Sequence, residues 1–279
     1  MDHTIQFPSA GDVPALGQGT WRMGEDVNSR DDEIAALRLG IDLGMTLIDT
    51  AEMYGDGATE DLLGQAIEGR RDRVYLVSKA LPSHATRAGT IAACERSLGR
   101  LKTDWLDLYL LHWRGPTPLA ETIDAFDALL AAGKIRHWGV SNFDMANMTE
   151  LLSLGRGDQA QTNQVLFNLC RRGIEFDLLP WCQKRRIPIM AYSPIEQGRT
   201  ILTNQTVRAI AKTHDATPAQ IALAWVLGHE GVIVIPKAGN PEHVRENHGS
   251  LRVRLTPDDL AKLDRAFPPP KQARPLEML

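Results

Sequence analysis

The chain has few cysteines and no excess of either charge, and each shortage excludes something. Only Cys94, Cys170 and Cys182 are present, an odd number without metal-ligand spacing, so neither a disulfide framework nor a zinc site is expected. The eight histidines are scattered, and no pair stands at helix or strand spacing for a metal. No apolar stretch approaches the roughly 20 residues that a membrane span requires. Thirty-one Lys and Arg against 35 Asp and Glu leave a formal charge of −4, which gives no electrostatic reason to expect nucleic acid or an anionic membrane as partner. The longest basic cluster, Lys184-Arg185-Arg186, reads as a solvated helix end. Met1-Asp2-His3-Thr4 carries no basic segment followed by an apolar run, so no leader is expected and the cytoplasm is the default. No linker divides residues 1–279, which read as one domain.

Familiar motifs are missing too. Gly17-Gln18-Gly19 and Gly55-Asp56-Gly57 begin like a dinucleotide fingerprint, but neither supplies the third glycine. There is no Walker loop, no His-Glu-x-x-His and no Gly-x-Ser-x-Gly element.

What is present is alternation. After a hairpin around Ile5 to Phe7, with its turn at Ser9 to Asp12, short apolar runs cover residues 15–19, 46–49, 74–79, 105–111, 138–141, 162–164, 187–192 and 232–236. Between them lie helical stripes: Ile34, Leu37 and Ile41 after Ser29; Ile91, Cys94, Leu98 and Leu101 after Thr86; Leu119, Ile123, Phe126 and Leu130, ended by Gly133. Another, through Ile221 and Trp225, opens on Thr217-Pro218. A tail containing Pro268-Pro269-Pro270 leaves the last helix and is expected to lie over the surface. Alternation of this kind suits parallel βαβ units, either a doubly wound sheet or a barrel.

The strand ends decide between the two. Asp49, Lys79, His112, Ser141-Asn142, Gln164, Tyr192 and Lys237 each close or directly follow a strand-like run, and Tyr54 stands just beyond Asp49. Strands of a parallel barrel all open onto one face, so such a set converges on one site. The expectation is a (β/α)8 TIM barrel with an N-terminal β-hairpin and a C-terminal helix and tail. Each residue alone has an ordinary structural explanation; the combination is the signal. A tyrosine that is to release a proton needs a neighbouring cation. Lys79 would supply it, Asp49 would hold the lysine, and a neutral His112 could orient a substrate oxygen. Together they could protonate a carbonyl oxygen as a hydride reaches its carbon.

Five separated blocks, Leu47-Ile48-Asp49-Thr50-Ala51-Glu52-Met53-Tyr54-Gly55, Val77-Ser78-Lys79, Leu110-Leu111-His112-Trp113, Gly139-Val140-Ser141-Asn142-Phe143 and Ile235-Pro236-Lys237, resemble in order the signature blocks of the aldo-keto reductase superfamily. The resemblance runs from about Leu16 to Leu263. It implies NADPH bound in extended form at the strand C-termini, with NADH a weaker alternative. It implies Tyr54 as acid, Asp49 and Lys79 as its tuners and His112 as orienting residue. By position it also implies that Ser141, Asn142 and Gln164 bond the nicotinamide carboxamide, that Tyr192 stacks on the ring, and that Gly19, Thr20 and Asp49 join the cofactor contacts. Ser193 and Ile195 follow where the family wraps the pyrophosphate. Lys237 would face the 2′-phosphate, with Glu246 and Asn247 near the adenine. Ala238 and His243 depart from the familiar serine and arginine there, which weakens the phosphate clamp unless Arg245 turns inward.

Trp21, Met53 and Trp113 would line the substrate pocket. Gly19-Thr20-Trp21-Arg22-Met23-Gly24-Glu25-Asp26 and Asn163-Gln164-Val165-Leu166-Phe167-Asn168 resemble a bacterial branch that includes methylglyoxal reductases, so small aldehydes, ketones and 2-oxoaldehydes are the expected substrates. A monomer or weak oligomer is expected. A non-catalytic NAD(P)H sensor of the same fold is the alternative, but the long partner-binding extension that would favour it is missing. A metal-dependent barrel hydrolase would need His or carboxylate ligands where Lys79, Ser141, Gln164 and Tyr192 stand.

Overall fold

A computed structural model describes residues 4–198 and 200–279. Residues 1–3, on which the reading of the N-terminus partly rests, lie outside the described residues. An antiparallel hairpin comes first, β1 (Thr4–Phe7) and β2 (Gly11–Pro14). Eight parallel strands follow in chain order: β3 (Gln18–Gly19), β4 (Leu47–Asp49), β5 (Tyr75–Ala80), β6 (Leu106–Leu111), β7 (Ile135–Ser141), β8 (Asn163–Leu166), β9 (Ile189–Tyr192) and β10 (Val232–Val234).

Parallel bridges from Leu16 to Val234 and from Gly19 to Lys237 join the last strand to the first and close the barrel. Gly17 N–H donates to Val234 O at 2.8 Å, and Gly19 N–H donates to Pro236 O at 3.0 Å. The closure depends on glycine, because a Cβ at Gly19 would stand 2.8 Å from the Ile235 carbonyl oxygen. The expected (β/α)8 barrel is therefore the observed one, with differences at its seam and at β8, which runs two residues past Gln164 instead of closing on it. Only residues 18–19 of the expected run 15–19 form regular strand, and the last strand stops at Val234. At the seam, bridges and loop hydrogen bonds take the place of a full ladder.

Period-two alternation sorts the strand residues into two layers. Leu47, Val77, Leu108, Leu110, Met190 and Ile233 face inward and pack together, with Phe7 and Val13 of the hairpin joining them. Ile48, Leu76, Tyr109, Leu111, Val165 and Ala191 face outward into the core beneath the helices. Inward parity continues past the apolar residues. Asp49 lies two beyond Leu47, Lys79 two beyond Val77, His112 two beyond Leu110 and Tyr192 two beyond Met190.

The helical stripes read from sequence match the helices Arg30–Asp42, Arg87–Leu101, Leu119–Ala131 and Pro218–Leu227. Thr86 caps the second, its side chain accepting from Gly89 N–H. Thr217 and Gln220 form a reciprocal capping box at the start of the fourth. Lys184, Arg185 and Arg186 are exposed at the end of the helix Leu178–Lys184, as expected of a solvated cluster. No helix among the described residues is long and apolar enough to cross a membrane.

The tail lies over the surface, as expected, and two adjacent arginines after β8 tether it and the end of the last helix. Arg172 Nη1 donates to Phe267 O at 2.5 Å, and Arg172 pairs with Glu175 and Asp264. Arg171 pairs with Glu277, and the backbone of Leu279 reaches the Tyr192 phenol.

Candidate active site

The ends of β4 and β5 meet at a buried ion pair. Lys79 Nζ donates to Asp49 Oδ2 at 2.7 Å, to Thr50 O at 2.8 Å and to Tyr54 Oη at 3.3 Å, which occupies all three ammonium protons. Asp49 is fixed on its other oxygen, where Gln164 Nε2 donates to Oδ1 at 2.7 Å. Burial pushes the Asp49 carboxyl up and the Lys79 ammonium down, and the attraction between them opposes both shifts. For Tyr54, burial comes first and the Asp49 charge second, and both hold the phenol well above its ordinary range.

Lys79 stands beside Tyr54, as expected, and the resting phenol keeps the proton that a tyrosine ordinarily holds. The Lys79 charge is neutralised largely by Asp49, which is nearer. Tyr54 therefore rests protonated.

His112 lies edge-on to Tyr54, with ring centroids 5.9 Å apart, and 5.0 Å from Trp113. Burial first and Lys79 second bring the imidazole down to about 2, so it is neutral across the physiological range. Its Nδ1 is buried without a hydrogen-bond partner.

Glu52 steadies the segment that carries Tyr54. This buried carboxylate accepts from Leu81 N–H at 2.8 Å, lies 2.8 Å from His84 Nδ1 and pairs with Arg96. Sequence reading passed over it, although a carboxylate two residues before the tyrosine is a usable signal.

A second polar set adjoins the first. Asn142 adopts φ +56°, a left-handed conformation that asparagine tolerates better than most residues. Its Nδ2 donates to His112 O at 3.1 Å and to Ser141 Oγ at 3.2 Å, while Tyr192 Oη donates to its Oδ1 at 3.0 Å. Ser141 Oγ donates to Gln164 O at 2.9 Å. Two side-chain amides, a hydroxyl and an aromatic ring thus converge beside the Asp49–Lys79 pair. That donor and acceptor set fits a nicotinamide with its carboxamide. Thr20 completes the wall, bonding Asp49 O through both its N–H (3.1 Å) and its hydroxyl (2.9 Å).

The remaining residues are more spread out. Ser193, at φ +50°, opens the loop after β9, which continues through half-packed Ile195. Lys237 is exposed at the barrel seam. His243 and Arg245 are exposed on the helix Pro241–Gly249, and Asn247 is buried there. Glu246 accepts at its backbone oxygen from Gln220 Nε2 at 2.9 Å. Trp21 and Met53, 40% and 41% exposed, flank Thr20 and Tyr54, so neither belongs to the core. No cluster of three or more metal-ligating side chains occurs among the described residues.

The Aldo/keto reductase family profile matches residues 15–267. Methylglyoxal reductase YeaE of Escherichia coli (strain K12) is 53% identical over 279 residues, covering 99% of this chain and 98% of the relative. Glyoxal reductase of Bacillus subtilis (strain 168) is 32% identical over 95% of this chain and 92% of its own length. The crystal structure of an aldo/keto reductase from Klebsiella pneumoniae in complex with NADP and acetate superposes with a TM-score of 0.98 at 50% identity, covering 100% of both chains. The chain belongs to the aldo/keto reductase family and is an NAD(P)H-dependent oxidoreductase.

Proposed function

We propose that this protein reduces small aldehydes, ketones and 2-oxoaldehydes to alcohols with NADPH, methylglyoxal being the leading substrate, and that Tyr54 donates the proton. The observation that carries this reading is Lys79 Nζ placed between Asp49 at 2.7 Å and Tyr54 at 3.3 Å in a buried site. NADPH, when bound, supplies the hydride.

Ser141, Asn142 and Gln164 hold and orient the carboxamide, and Tyr192 offers its ring to the nicotinamide. Neutral His112 donates to the substrate oxygen and sets its angle to Tyr54. The phenol rests protonated, so the acid is loaded before the carbonyl arrives. As its proton moves to the substrate oxygen, phenolate charge develops beside the Lys79 ammonium, and their hydrogen bond becomes a stronger, charge-assisted one. Lys79 acts on the transition state, where the charge appears. Tyr54 then regains a proton from solvent.

Trp21, Met53 and Trp113 form the apolar rim of the mouth. Gly19, Thr20, Ser193, Ile195, Lys237, His243, Glu246 and Asn247 belong to the cofactor's extended site. The likeness to methylglyoxal and glyoxal reductases supports the substrate class. The chain is read as one domain, a monomer or weak oligomer, working in the cytoplasm on a small carbonyl compound, with no nucleic acid or membrane partner.

The test is oxidation of NADPH and of NADH by the purified protein, in parallel, with methylglyoxal, simple aldehydes and a ketosteroid. Turnover of the small carbonyls with NADPH is the expected result. Cofactor binding without any turnover would favour the sensor reading instead.

A further inference from the structure

The loop after β9 is strained at three non-glycine positions: Ser193, Glu196 and Gln197 have φ of +50°, +51° and +55°. Backbone of this kind persists only where its surroundings impose it. Two residues after β8 do so. Asn168, fully buried, donates through Nδ2 to Ser193 O at 2.9 Å and to Glu196 Oε2 at 2.8 Å. Arg171 donates to Glu196 Oε1 from Nε at 3.0 Å and from Nη2 at 2.8 Å.

Arg171 has a third engagement. Its Nη1 donates at 2.7 Å to Glu277, two residues before the end of the chain, where the Leu279 backbone meets the Tyr192 phenol. One guanidinium therefore holds the strained loop with two N–H groups and the tail with another. We infer that Arg171 couples the loop of residues 193–198 to the C-terminal tail, so that opening the loop loosens the tail over Tyr192, and freeing the tail shortens the residence of the cofactor. This rests on reading that loop as the cover of the cofactor pyrophosphate. Arg171 is a positioning residue. It acts through Glu196 and Glu277.

Glu277 is far along the chain from every residue assigned to the cofactor, and in a merely structural role its substitution leaves cofactor release alone. The experiment measures NADPH release by stopped-flow fluorescence, chasing with excess NADP+, in the wild type, Glu277→Gln, Arg171→Met and the double variant. Expected are about two- to five-fold faster release for Glu277→Gln, the scale of a partly exposed ion pair, and a larger increase for Arg171→Met. The double variant should release no faster than Arg171→Met alone, since both changes break one connection. NADP+ should also slow carboxypeptidase removal of Leu279 in the wild type but not in Glu277→Gln. Normal NADPH binding with wild-type release from Glu277→Gln, or additive effects in the double variant, would overturn the coupling alone. Failure of the wild type to bind NADPH would overturn the cofactor reading and the coupling with it.

Discussion

Gln164 Nε2 donates to Asp49 Oδ1 at 2.7 Å across the barrel, from the second residue of β8 to the last of β4. The residue expected to hold the nicotinamide is thereby the residue that orients the carboxylate behind Lys79. Replacing Gln164 by Leu should weaken NADPH binding about tenfold and lower turnover as well, because a buried acceptor loses its donor. A titration of cofactor fluorescence beside steady-state rates checks both; a change in binding alone would separate the two functions.

Tyr54→Phe removes only the hydroxyl. Turnover should fall by about 10² to 10⁴-fold, the range of a lost general acid, while the NADPH dissociation constant stays within about twofold. Substantial retained turnover in a rapid-mixing assay would remove Tyr54 from its role.

Lys79→Met leaves Asp49 buried without its cation. Loss of one partner of a buried pair costs about 3–5 kcal/mol, so urea denaturation should show a marked loss of stability along with lost activity. Adding Asp49→Asn should recover much of the stability and none of the activity. Recovery of both would make the pair structural.

His112 binds its proton only near pH 2 in the folded chain, against an ordinary 6.5 once unfolded. Below about pH 6.5 the unfolded state therefore binds a proton that the folded state refuses, and stability falls as the pH drops toward 2. At higher pH the imidazole is neutral in both states and the effect vanishes. In His112→Asn the slope of stability against pH between about 4 and 6 should be shallower by up to one proton. An unchanged slope would mean that His112 is not the group responsible.

His243→Arg should raise the preference for NADPH over NADH, by about tenfold if the guanidinium reaches the 2′-phosphate. Parallel measurement of kcat/KM for the two cofactors decides it. An unchanged ratio would mean the side chain stays in solvent, where His243 now stands.

The sequence showed the barrel and the gathering of Asp49, Tyr54, Lys79 and His112 at one end of it because both follow largely from local rules. Period-two alternation places Asp49 above Leu47 and Lys79 above Val77 whatever the rest of the chain does. The helix stripes at Leu37 and Phe126 are equally local. What stayed hidden depends on long-range partners. Nothing near Arg171 in the sequence points to Glu277, 106 residues away, and nothing near Gln164 points to Asp49, 115 residues away. How far burial and the Asp49 charge hold the Tyr54 phenol above its ordinary range was also beyond reach, because both depend on tertiary packing.

The shared inward parity of the site residues also governs which sequence changes the protein can survive. Inserting one residue within β4 or β5 would rotate Asp49 or Lys79 to the outer layer and bring an apolar neighbour into the reaction chamber. The same insertion at the exposed turn around Gly133, before β7, leaves every inward position in place. Drift in length is thus permitted between the strands and forbidden inside them. New substrate ranges would come from lengthened connections at the open rim, around a chemical centre that stays fixed.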